Sequence, residues 1–182
     1  MQNKLAEIKM DLISFLEWEQ NQENRHDFVN GAIYAMAGAS RSHEEVATAV
    51  VSILWNALFG LPCRVYKGDR QVKAQENILY PDVVITCDER DHKTEGAIEY
   101  PQAIIEVASP RSTAGYDRDV KAQLYLSLPS LRQYAMINPQ TRRFTLMNRI
   151  DGDKWETFNL INAPIEICGV ILSPDRIFSN VE

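Results

Sequence analysis

Two short runs, YPDVVITC at residues 80–87 and QAIIEVAS at residues 102–109, are apolar almost without a break. A strand with one solvated face alternates apolar and polar residues, whereas a strand covered on both faces does not. The two runs therefore predict central strands of a sheet with material packed on either side. That requirement shapes the reading of the rest of the chain.

The flanking pattern supplies the covering layers. Residues 10–20 show helical spacing at Leu12, Phe15 and Leu16, with Asp11 as the cap. Residues 27–36 read as a hairpin turning at Asn30-Gly31. The strongest helix is 42–59. Ser42 is its expected cap, Glu45 completes a capping box, and Val46, Val50, Ile53, Leu54 and Leu58 share one face. Gly60 and Pro62 stop it. Residues 64–74 read as one strand, 109–116 as a loop, 117–128 as a helix ended by Pro129, and 133–138 as a strand before Pro139. Residues 144–148 and 155–160 suit an antiparallel hairpin around Asp151-Gly152, with a short strand at 165–167. There is no internal repeat, low-complexity tract or linker. A length of 182 residues suits one domain spanning 1–182. The predicted class is α/β (α+β): a mixed sheet flanked by helices, with an antiparallel C-terminal extension.

Composition narrows the function classes. An apolar fraction of 45% and a charged fraction of 24% are those of an ordinary globular chain. No run approaches the roughly 18 apolar residues of a membrane span, and no secretory leader is visible, so the expected location is cytoplasmic. Cys63, Cys87 and Cys168 are far apart and form no CxxC pair, which argues against a disulfide framework and against zinc. His26, His43 and His92 are scattered. A net charge of -6 disfavours a protein that coats nucleic acid. It leaves room for a local basic groove: residues 64–73 carry four basic residues and one acid, Asp69, itself read as a surface or bulge residue.

Three charges are out of place. Asp82 opens one apolar strand and Glu106 lies inside the other. A buried carboxylate neutralises, pairs or binds a metal. Alternation sets Glu106 on one face with Ile104 and Ala108, so on neighbouring strands the two carboxylates converge. Lys121 is the third. In a helix from Asp117 it shares a face with Leu124, Tyr125 and Leu128, and so points inward. Each residue has an ordinary reading: a strand-entry cap for Asp82, an arginine partner for Glu106, a snorkelling stem for Lys121. Asp117 reads as an N-cap and His43 as a core or cap histidine close enough to reach the site. Three independent anomalies are better served by one explanation: a divalent-metal site. Hard oxygen ligands suit Mg²⁺ or Mn²⁺.

Pro81-Asp82, Glu106 and a nearby lysine resemble the PD-(D/E)xK nuclease superfamily. A longer set resembles the Uma-type restriction endonuclease family of bacteria: Met36 with the following Ala-Gly-Ala-Ser, His43, Pro81-Asp82-Val83-Val84, the stretch EVASPRST from Glu106, Tyr116-Asp117-Arg118, Lys121, Tyr125, and PSLRQY from Pro129. The resemblance implies a restriction-endonuclease-like core and metal-dependent hydrolysis of DNA phosphodiesters. Asp82 and Glu106 would be metal ligands, main-chain groups at Val107 would complete the shell, and Lys121 would assist the nucleophile. The superfamily's usual lysine, two residues after the second acid, is here Ala108, so Lys121 would substitute from the following helix. Ala32 stands where relatives tend to have glutamate, and the acid of the earlier strand is Asp27. Ser109, Ser112 and Thr113 are candidate backbone-phosphate contacts, as are Arg70, Lys73, Arg111 and Arg118. A homodimer would let both strands of a duplex be cut. The competing expectations are an inactive binding or assembly protein with a buried Asp-Glu-Lys triad, and a hydrolase of small phosphate esters.

Overall fold

The computed structural model describes residues 10–36, 38–109 and 115–181 and, for residues 115–118, the backbone alone. In chain order, α1 (Leu12–Glu19) leads into the hairpin β1 (His26–Val29) and β2 (Ala32–Ala35), then α2 (Arg41–Leu58) and β3 (Arg64–Lys67). A second hairpin, β4 (Val72–Ala74) and β5 (Asn77–Leu79), precedes β6 (Val83–Thr86), α3 (Glu89–His92) and β7 (Pro101–Val107). After α4 (Gly115–Leu126) come β8 (Gln133–Asn138), β9 (Arg143–Asp151), β10 (Lys154–Ile161), β11 (Ile165–Ile167), β12 (Val170–Leu172) and α5 (Pro174–Ile177).

The main sheet has six strands in the order β10-β9-β8-β7-β6-β3. Only β7 and β8 run parallel; α4 makes the crossover that a parallel pair requires. The strands predicted to be central, β6 and β7, lie inside this sheet with both faces covered. On one face, Val83, Ile85, Ala103 and Ile105 pack under α2 through Val46, Val50 and Leu54. On the other, Val84 and Ile104 meet Tyr125, Leu128 and Leu131 from α4 and the turn after it. A four-stranded sheet, β2-β1-β5-β4, sits beside this second layer. It closes a third cluster with α1 through Phe15, Phe28, Ile33 and Ile78.

Several local expectations change. The cap of α2 is Ser40, whose Oγ accepts from His43 N, and the helix starts one residue before Ser42. Ser40 has the extended backbone that a cap needs; Ser42 is already inside the helix. Glu45 pairs with Arg41 one turn back instead of closing a capping box. The single strand expected at 64–74 is two strands in different sheets. Gly68, at φ +62°, turns the chain between them and donates its N–H to Asp82 O at 3.0 Å. The cysteine expectation is also corrected: Cys63 and Cys87 form a disulfide. β3 and β6 pair antiparallel with Arg64 opposite Thr86, so the two cysteines face each other one step beyond the ladder. Sequence spacing carries no trace of that pairing. Cys168 is free. No helix among the described residues is long and apolar enough to cross a membrane.

Candidate active site

The register of β6 against β7 brings the two out-of-place carboxylates together. Val83 pairs with Ile105, so Asp82, one step before the strand, comes level with Glu106. Asp82 is held on both oxygens. Oδ2 accepts from the Val107 N–H at 2.7 Å, and Oδ1 lies 3.0 Å from His43 Nε2. His43 reaches there because it sits in the first turn of α2, whose apolar face packs on the same strands.

α4 delivers the cation. Tyr125 is buried on its inner face, with Leu128 just past its end, and Lys121 lies one turn before Tyr125 on that face. The Lys121 ammonium donates to Tyr80 O at 2.9 Å and stands 3.2 Å from Asp27 Oδ2 and 3.4 Å from Glu106 Oε1. Asp27, on β1, is buried, and its Oδ1 accepts from Tyr80 N at 2.8 Å. Sequence reasoning noticed Asp27 only as the acid of an earlier strand. The missed signal was an aspartate immediately before a hairpin strand's apolar residues, and only the β1–β5 pairing at Phe28↔Ile78 sets it beside Tyr80.

Electrostatics divides the carboxylates. Burial alone would raise Asp82, but the hydrogen bond from His43 and that imidazole's charge, the Val107 N–H and the Lys121 charge together hold it below its ordinary value. Glu106 goes the other way. Burial, only partly offset by Lys121 and reinforced by Asp82 and Asp27, pushes it up to about 8. Two facing carboxylates cannot both ionise cheaply, and here the proton belongs on Glu106. Burial lowers His43, but the Asp82 carboxylate outweighs that and raises it. Tyr125, fully buried, is held well above its ordinary value by burial and then by Glu106.

These groups line one cavity of about 440 Å³, formed by Asp27, His43, Asp82, Glu106, Val107 and Lys121, with Ser109 at its edge. Among the described residues, Glu106 Oε1 and His43 Nδ1 are buried with only loose ionic neighbours, the Lys121 ammonium at 3.4 Å and a Glu44 oxygen at 3.7 Å. Buried polar atoms so loosely partnered are uncommon in folded proteins, and beside a cavity they leave room for a water, ion or ligand. No group of three or more His, Cys, Asp or Glu side chains among the described residues surrounds one point. A pair of carboxylates with an open side still fits Mg²⁺, which keeps several waters and takes one or two protein carboxylates.

The other expected residues divide. Arg70 turns onto the Thr94 and Glu95 carbonyls at 2.6 and 3.1 Å, outside this cavity, and Lys73 also lies outside its lining. Asp69 is exposed and pairs with Arg25, as a surface residue would. Arg111, Ser112 and Thr113 lie outside the described residues, as do the side chains of Asp117 and Arg118.

Comparison with known proteins follows the geometry. Residues 13–167 match the family Uma2, described as "Putative restriction endonuclease". Two uncharacterized proteins of Synechocystis sp. are similar: slr1290, 33% identical over 83% of this chain and 80% of its own length, and sll1609, 25% identical over 84% and 88%. A crystal structure of a "putative nuclease belonging to DUF820" from Anabaena variabilis superposes with a TM-score of 0.76, covering 93% of this chain and 98% of that one at 17% identity. That likeness extends the fold over nearly the whole domain, and the sequence match spans both carboxylates and the lysine. The chain belongs to the Uma2 family.

Proposed function

We propose that the protein is a Mg²⁺- or Mn²⁺-dependent endonuclease that hydrolyses DNA phosphodiester bonds at the Asp82–Glu106–Lys121 cavity. The observation that carries this reading is the convergence of two carboxylates with an inward lysine on one open cavity. A proton favoured on Glu106 by burial first, and by Asp82 and Asp27 after it, is what a divalent cation would displace.

Asp82 and Glu106 would hold the metal, with main-chain groups at Val107 nearby. When bound, such an ion stabilises charge on the phosphoryl oxygens and acidifies a coordinated water. The chain's own residues do the rest. His43 fixes the Asp82 carboxylate through its Nε2–H. Asp27 and the Tyr80 carbonyl hold the Lys121 ammonium at the edge of the cavity, where it orients the attacking water or offsets charge on the pentavalent phosphorus. Ser109 and the first turn of α4 are the proposed phosphate contacts. The reading includes a cytoplasmic site of action and a homodimer, since cutting a duplex takes two sites.

The rival reading is an inactive binding protein, and the closure of Lys121 on two carboxylates is the observation that favours it. Mn²⁺-dependent cleavage of single- and double-stranded DNA, with Lys121→Ala alongside, separates the two. Titration calorimetry supplies the second readout. If the wild type binds no Mg²⁺ or Mn²⁺, or Glu106→Ala binds equally well, the nuclease reading fails.

A further inference from the structure

A second cavity of about 430 Å³ opens beside the first, and Arg25 and Asp69 line both. Those two residues pair at 3.4 Å, with Asp69 83% exposed. An exposed pair of this kind contributes little, so the side chains common to the two cavities are only weakly held to each other.

The second cavity has the surfaces of a base-sized site. Leu12 and Leu16 from α1 and Ile78 from β5 form an apolar wall. The polar floor is Gln71 and Tyr80. Gln71 Nε2 donates to the Tyr80 hydroxyl at 2.7 Å, and that hydroxyl donates to Glu19 Oε1 at 3.0 Å. This uses one amide N–H of Gln71. Its side-chain carbonyl and second N–H have no partner among the described residues. An amide of this kind can meet the edge of a nucleobase with a donor and an acceptor together. A volume near 430 Å³, with one apolar wall and charged groups of both signs around it, lies within the range of small-ligand pockets. Glu19, Asp69, Glu95 and Glu99 line it together with Arg25, Arg70 and Lys73, so the charges nearly balance and the uncharged Gln71 amide is the group placed to meet a base.

We propose that this cavity is a subsite of the same substrate groove, holding the nucleobase next to the scissile phosphate. The inference rests on the nuclease reading above. Tyr80 ties the two cavities together. Its hydroxyl lies on the floor of the second, while its main-chain N–H and carbonyl hold Asp27 and Lys121 in the first. A base seated against Gln71 is therefore one hydrogen bond away from the residue that positions the lysine.

The test compares two substrates in Mn²⁺: a DNA oligonucleotide, and a base-free deoxyribose-phosphate oligomer of equal length. The wild type is expected to show kcat/KM at least about tenfold higher on the base-bearing strand, a fold-change in the range of one good base contact. Gln71→Met removes the amide, and Ala97→Trp fills the cavity from its wall. Both variants are expected to lose that preference, read as the ratio of kcat/KM on the two oligomers. Equal cutting of the two substrates by the wild type overturns the subsite, as does retention of the preference by both variants, or an equal loss on both substrates. A wild type that cuts neither overturns the nuclease reading itself, and the subsite falls with it.

Discussion

Asp27 holds the Lys121 ammonium 3.2 Å from one carboxylate oxygen while its other oxygen takes the Tyr80 N–H at 2.8 Å. A residue of the first hairpin thus sets the position of a side chain on the fourth helix. The aspartate is buried, and that lysine and that N–H face its two carboxylate oxygens. Asp27→Asn retains an acceptor for Tyr80 but removes the charge facing Lys121. We expect DNA cleavage to fall at least tenfold while Mn²⁺ affinity changes far less than in Glu106→Ala. We also expect a stability loss of up to ~3–5 kcal/mol, the range for breaking a buried pair. Cleavage kinetics, calorimetry and thermal melting check the three parts.

Lys121→Met keeps the stem that packs on α4's inner face and deletes the ammonium. Loss of the cation leaves Glu106 facing Asp82 and Asp27 with less to offset them. Cleavage should drop by about 100-fold or more, as for removal of an electrostatic stabiliser. Divalent-metal binding should persist. A variant that cuts at the wild-type rate would remove the lysine from the mechanism.

His43 donates to Asp82 Oδ1 at 3.0 Å, so it sets the direction of the proposed ligand without touching the metal. Partners of this kind typically contribute 10- to 100-fold to metal affinity. His43→Leu should weaken Mn²⁺ binding by about that factor. His43→Gln places an N–H near the Nε2 position and should recover most of it. A purely structural histidine would show no such difference between the two.

Stability of the metal-free protein should fall as pH rises from about 4.5 to about 8. Glu106 carries a folded-state value raised from 4.5 to about 8, so over that interval the native state binds more protons than the unfolded chain. The slope of stability against pH is then negative. His43, raised from 6.5, works in the same direction in the upper part of the interval. Asp82, lowered from 3.8, adds stability above that pH and loses it only in acid. Thermal melts in chelator across this range should show the decline, and Mg²⁺ at pH 8 should reverse it by binding the native state. A flat profile would contradict the assignment of the proton to Glu106.

The Cys63–Cys87 disulfide closes a loop with a sequence separation of 24. A loop of that size restricts the unfolded chain by about 3 kcal/mol in the chain-entropy account. Reduction, or the double change Cys63→Ala with Cys87→Ala, should lower the melting temperature by several degrees. Metal binding should be unchanged, because the bond lies at the end of β6 opposite to Asp82.

The sequence alone determined the principal helices and central strands and which residues are anomalous, but not the short elements β5, α3, β12 and α5. Continuous apolar runs require strands covered on both faces, and β6 and β7 are covered by α2 and α4. A lysine in register with Tyr125 and Leu128 must face the core, because a helix repeats every 3.6 residues. Asn30-Gly31 turned the first hairpin as its chemistry demands, both residues taking positive φ. These are local rules, and local rules are legible in one dimension. Tertiary structure decided the rest. The 64–74 segment broke into two sheets because Gly68 bends toward Asp82, which no pattern within the segment announces. Cys63 met Cys87, and Asp27 met Lys121, because strand pairing brings together residues far apart in the chain. The placing of the proton on Glu106 and not on Asp82 follows from their three-dimensional neighbours: His43 and the Val107 N–H support one carboxylate, while burial and two like charges press on the other.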